Sequence, residues 1–245
     1  MPWRQFGKLI SKLPFVMLFN SIDLKIVRRR TLSSMHIPDG FLDVKAIVMT
    51  TSISAAVIAA NGKNIKKAFT EQSVPAMGMM AAFIFVAQML NFPIAPGVSG
   101  HLLGSALVTA LFGPAAGMVI MTTVVALQAL LFHDGGIMVL GANILNMAVI
   151  GCGLAYIVQR LPFKGKARPV LLFISGWLSI FIAAFTAAVE LGISGVVPFS
   201  VVVWPVLIWH ALIGVIEGAI TMVTAPFLIK ILNIRPLRKQ EEHGI

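Results

Sequence analysis

The chain has 245 residues, of which 58% are hydrophobic and 11% charged, with a mean hydropathy of +0.93. Soluble domains carry roughly 45–50% apolar and about 25% charged residues, so a water-soluble enzyme is excluded. The net charge of +10 would suggest nucleic acid in a soluble protein, but in a membrane protein basic residues set orientation, and their positions matter more than their total. With Cys152 as the single cysteine, neither a disulfide framework nor a Cys-based zinc site can be built within the chain. A bound metal would need nitrogen or oxygen ligands, drawn from five histidines and nine acids.

Residues 1–34 stand apart. Arg4, Lys8, Lys12, Lys25, Arg28, Arg29 and Arg30 face only Asp23, so six of the ten net charges lie here. The apolar run from Leu13 to Ile22 contains Pro14 and falls well short of the roughly 20 residues a spanning helix needs. As a signal peptide the segment is poor, because three arginines follow the apolar run and Leu32-Ser33-Ser34 is not a small-x-small cleavage site. The expectation is that the working chain begins at Met35, by an internal start or, less simply, by cleavage. That leaves a bundle over 35–232 and a tail over 233–245.

Nearly uncharged stretches long enough to span recur at 44–60, 74–91, 139–159, 169–190 and 204–232. The stretch 101–132 would make a helix of about 48 Å, too long for one span, and Phe112-Gly113-Pro114 breaks it. Reading it as a short span over 101–113 and a second over 115–132 predicts an all-α membrane protein with seven spans. Charge supports this count. The basic connectors are 61–73 (Lys63, Lys66, Lys67), 160–168 (Arg160, Lys164, Lys166, Arg168) and the tail from Lys230, whereas 91–100, 133–138 and 191–203 carry no Lys or Arg. Seven spans put all the basic segments on one side, which the positive-inside rule makes cytoplasmic, with the N-terminal end of the bundle outside and the C-terminus inside. Small residues four apart (Ala55/Ala59, Gly100/Gly104, Gly113/Gly117, Ala183/Ala187, Gly214/Gly218) predict close helix packing. No ATP-binding glycine loop is present, so the chain cannot use ATP alone.

Met35-His36-Ile37-Pro38-Asp39-Gly40-Phe41 precedes the first span on the outer side. If Met35 is the terminus, its amine and the amide and imidazole nitrogens of His36 can close two fused chelate rings on one ion. Three nitrogens nearly in a plane suit square-planar nickel or cobalt. His101, opening the short third span from the same side, is the natural fourth ligand, although a histidine there also serves as a helix cap. His133-Asp134-Gly135-Gly136 reads first as a turn. His210 and Glu217 share a face of the last span and Glu190 ends the sixth; they are either interhelical polar contacts or the site of a proton-coupled secondary transporter, the runner-up function. Gln88, Gln128, Asn143 and Asn146 are interhelical contacts or partners that orient a metal-bound imidazole, and Asn91 and Ser99 flank His101 in the latter role. A membrane enzyme is disfavoured, since no His-Glu-x-x-His, nucleophile motif or paired intramembrane carboxylates occur.

Met35-His-Ile-Pro-Asp-Gly-Phe-Leu, Ala87-Gln-Met-Leu-Asn-Phe-Pro, Ser99-Gly-His-Leu-Leu-Gly, Leu111-Phe-Gly-Pro, Leu130-Leu-Phe-His-Asp-Gly-Gly and Leu140-Gly-Ala-Asn-Ile-Leu-Asn-Met together resemble the substrate-binding membrane component of cobalt/nickel energy-coupling-factor transporters, the CbiM/NikM type. The resemblance runs from Met35 to about residue 232. It implies seven spans with the N-terminus outside, and metal binding by the Met35 amine, the His36 amide and imidazole, and His101. It implies no enzymatic activity and no resident cofactor: Co2+ or Ni2+ is the transported ligand, with cobalt for cobalamin biosynthesis ahead of nickel. The implied partners are a transmembrane coupling protein, ATP-binding subunits and a small accessory membrane subunit in the cell inner membrane, not nucleic acid. The family motif starts the mature protein, so a retained extension before Met35 would block the amine, and His133 has no family counterpart.

Overall fold

The computed structural model describes residues 36–163, 165 and 167–232. The expectations placed on residues 1–35, on Lys164 and Lys166, and on Arg235, Arg238 and Lys239 in the tail fall outside them. Helix α1 (Val44–Ala60) starts where Asp43 accepts the Ala46 N–H at 2.9 Å, and a 57° bend separates it from α2 (Gly62–Ala68), which carries Lys63, Lys66 and Lys67. Helix α3 (Val74–Gln88) has proline in its first turn, where the missing N–H costs nothing. Beyond it the chain makes a short antiparallel hairpin, β1 (Phe92–Ala95) and β2 (Val98–Gly100), with Pro93 opposite Ser99. This differs from the all-helical expectation, which took 91–100 as a plain connector.

Helix α4 (Ser105–Phe132) is one apolar stretch broken at Gly113, whose φ of 83° only glycine adopts readily. A Cβ placed on Gly117 would lie 3.5 Å from the backbone nitrogen of Thr109. Residues eight apart in a straight helix are about 12 Å apart, so the arms before and after the break lie against each other. The glycine-proline signal at 113–114 thus reverses the chain, and the first arm is buried throughout. Helix α5 (Leu140–Gln159) is continuous through a π turn at Leu145–Ile150, and α6 (Ala167–Ile193) and α7 (Phe199–Ile231) follow. Helices α4 to α7 are each long and apolar enough to cross a membrane, and α1 with α2 forms a bent candidate, so the protein is a multi-pass helical bundle.

The three connectors without Lys or Arg gather at one end of the bundle with residues 36–43. The Asp39 carboxylate accepts the Ile137 and Met138 N–H groups at 3.1 and 2.8 Å, Ser194 Oγ donates to Asp43 at 3.4 Å, and the Phe41 ring lies against Gly97. Helices α6 and α7 make the most extensive contact among the described elements, and they pack closely, as the Gly214/Gly218 spacing predicts. A Cβ on Gly176 would lie 2.8 Å from Gly218 Cα and 3.0 Å from the Glu217 carbonyl, so only glycine lets these backbones meet. Gly176→Ala should therefore destabilise the bundle by about 1–3 kcal/mol through overpacking. Gly78→Ala, with nothing within 4 Å, should leave thermal unfolding in detergent unchanged or slightly raised.

Candidate metal site

The segment after Met35 is held mainly by its backbone. Asn143 grips Ile37 in both directions, its Oδ1 accepting the Ile37 N–H and its Nδ2 donating to the Ile37 carbonyl, each at 3.1 Å, and Gly136 N–H donates to that same carbonyl at 3.0 Å. His36, 4% exposed, is thereby fixed at the head of a cavity. Its Nε2 meets Gln128 Oε1 at 2.9 Å. An amide oxygen only accepts, so the pairing puts the ring proton on Nε2 and the lone pair on Nδ1. Nδ1 is the nitrogen that closes a six-membered chelate ring with its own backbone amide.

The second histidine arrives from the hairpin. His101 follows β2 directly, and its ring packs edge-on against that of His36 with centroids 4.9 Å apart and planes at 75°. Its Nδ1–H donates to the Leu102 carbonyl at 2.8 Å, leaving the lone pair on Nε2. Ser99 and Asn146 line the same cavity, with Ala183, Ala184 and Ala187 of α6 as an apolar wall. Burial is the main cause that pushes His36 down to about 4 and His101 to about 3, the neighbouring His36 adding to the effect on His101. Both rings are therefore neutral at physiological pH, the form a metal needs.

The other expected residues divide. Ser99 is buried beside His101, while Asn91 is exposed and its Nδ2 donates to Met89 in its own loop. Gln88 is buried behind the loop, donating to the Leu103 carbonyl at 2.7 Å. His133 ends α4 with a left-handed φ of 55° and faces outward, as a turn residue does. His210 lines the His36/His101 cavity, its Nδ1–H donating to Val206 at 2.8 Å. Glu217 accepts the Leu103 and Gly104 N–H groups at 2.9 and 2.7 Å, and Glu190 accepts from Asn146 at 2.8 Å, so the two carboxylates serve different neighbours. Among the described residues no three His, Cys, Asp or Glu side chains cluster tightly enough to hold a metal. The roles of Gln128 and Asn143 were visible in the sequence only as polar residues on apolar helices; which histidine they served was not.

Residues 36–233 match the family described as the cobalt uptake substrate-specific transmembrane region, CbiM. The chain belongs to this family. This CbiM-family chain is 42% identical over 189 residues to a putative fused nickel transport protein of Archaeoglobus fulgidus, the match covering 76% of this chain and 63% of that longer protein. It is 32% identical over 226 residues to a cobalt transport protein of Listeria seeligeri, covering 88% and 92% of the two chains. A crystal structure described as a truncated transition metal transporter superimposes with a TM-score of 0.73 at 31% identity, covering 80% of this chain and 99% of that one. The relatives are named as transport proteins, and the chain is accordingly a membrane transport component.

The lowered histidine values have a consequence for the metal-free protein. Below pH 6.5 the unfolded chain takes up protons on these rings while the folded chain does not until about pH 4 or below, so the part of the stability that these two rings contribute is full above pH 6.5 and is lost on acidification. The thermal midpoints of the wild type and of His36→Asn should therefore keep a constant difference from pH 7 to 8 and change relative to each other from pH 6.5 towards 4, the wild type losing stability against the variant by up to the uptake of one proton.

Proposed function

We propose that this chain is the substrate-specific subunit of an ATP-driven cobalt/nickel uptake transporter and captures the divalent ion at its outer face. The observation that carries the reading is the meeting of His36 and His101 at 4.9 Å in one cavity, each ring tied through one nitrogen to a carbonyl-type oxygen. The working chain begins at Met35. Its terminal amine, the His36 amide and His36 Nδ1 supply three nitrogens, and His101 Nε2 the fourth, a set suited to a square-planar ion. Gln128 acts as the outer partner of the His36 imidazole, raising its basicity and fixing its orientation. Asn143 and Gly136 hold the chelating backbone at Ile37.

In this reading the two arms of α4 count as separate spans, giving seven. The end that gathers the connectors free of Lys and Arg faces outward, and the C-terminus is cytoplasmic. Cobalt, supplying cobalamin biosynthesis, is the first cargo and nickel the second. The chain works in the cell inner membrane with a transmembrane coupling protein, ATP-binding subunits and a small accessory subunit. Proton-coupled transport has weaker support, because Glu190 and Glu217 are each engaged by a separate hydrogen-bonding partner.

Purified protein starting at Met35 should bind one nickel or cobalt ion, and His36→Ala and His101→Ala should each weaken binding by at least 100-fold in equilibrium dialysis. One additional residue ahead of Met35 should have a similar effect by converting the amine to an amide. Unaltered affinity in the extended protein would remove the amine from the ligand set.

A further inference from the structure

Directly beyond His101 the chain has left β2 and has not yet entered α4, so its N–H groups lack helical acceptors. Two helices supply what is missing, and both act on one peptide. Gln88, at the end of α3, donates Nε2–H to the Leu103 carbonyl at 2.7 Å. Glu217, near the middle of α7, accepts the Leu103 N–H at 2.9 Å through Oε2 and the Gly104 N–H at 2.7 Å through Oε1. Gln88 and Glu217 are 0% and 3% exposed. The carboxylate also meets the positive end of the first arm of α4, which favours an anion there.

This clamp is close to the metal cavity in sequence and in space. Leu103 lines both the cavity of His36 and His101 and the cavity that contains Gln88 and Glu217. The His101 ring is tied to the Leu102 carbonyl, adjoining the gripped peptide. Helix α7 also presses on the other side of His101: a Cβ on Gly100 would lie 2.7 Å from the Ile213 side chain, one turn before Glu217. The segment 100–104 is thus seated against α7 at both ends and pinned to α3 at Leu103.

We propose that Glu217, assisted by Gln88, is a positioning residue for metal capture: it sets the angle at which His101 presents Nε2, and so ties metal affinity to the spacing of α3 and α7. The inference rests on His101 being a ligand. A four-nitrogen planar set tolerates little angular error, and partners of ligand residues typically contribute 10- to 100-fold to affinity. Since the clamp joins two helices, a displacement of α7 relative to α3 would loosen His101 without altering the His36 chelate.

The test is equilibrium dialysis with nickel alone on the full gene product, purified from membranes as the cell produces it. Glu217→Gln and Gln88→Leu should each keep one-to-one binding but weaken it about 10- to 100-fold, with faster dissociation and a shifted ligand-field absorption band of the bound nickel. Ser175→Ala breaks a buried contact with Gln159 between α5 and α6, and should lower thermal stability while keeping the wild-type affinity and band. Wild-type affinity and spectrum in the folded clamp variants would overturn the inference. If Glu217→Gln does not fold, Gln88→Leu decides it alone. Nickel binding that keeps wild-type affinity in His101→Ala would refute the functional reading itself, and this inference with it.

Discussion

A bilayer offers no water to backbone N–H and C=O groups, and this constraint organises the protein. Regular helix satisfies it over most of the chain, but the metal-site segment from β2 to α4 is not helical. Its peptide groups are paired instead by Gln88 and Glu217, while Ile37 on the neighbouring segment is paired by Asn143. Three buried polar side chains of the bundle are thus committed to backbone where helix is absent. Irregular backbone is tolerated in a membrane protein where it is buried in protein, and here that irregular backbone carries both histidines.

Three interruptions of regular α-helix each have a positional task here. Gly113 with Pro114 turns α4 back on itself, so that the first arm runs fully buried through the bundle. The hairpin β1–β2 precedes that arm and leads directly into His101, whose ring meets that of His36 edge-on. The π turn in α5 begins beside Asn143 and contains Asn146, two residues that face the cavity. Such local widening of a helix is often found at functional positions.

Electrostatics reinforces the same division. Burial holds His36 and His101 neutral, which readies them for a cation. Each ring has one nitrogen committed to an oxygen, Gln128 for His36 and Leu102 for His101, so the remaining lone pairs belong to Nδ1 and Nε2 respectively. The carboxylates Glu190 and Glu217 bind Asn146 and backbone amides rather than each other.

The sequence by itself determined the membrane class, the positions of the apolar helices, the break at Gly113-Pro114 and the pair His36 and His101, because hydropathy, proline and a rare residue type are local signals. Gly214/Gly218 likewise announced the tight face between α6 and α7. Tertiary structure alone decided that Gln128 serves His36, that Asn143 secures Ile37, that Asn91 points away, and that Glu217 serves the loop after His101 rather than His210. Those pairings join residues 92 to 114 positions apart. A polar side chain on an apolar helix shows that it needs a partner, but the identity of that partner is set by how the helices cross, which no short-range pattern encodes.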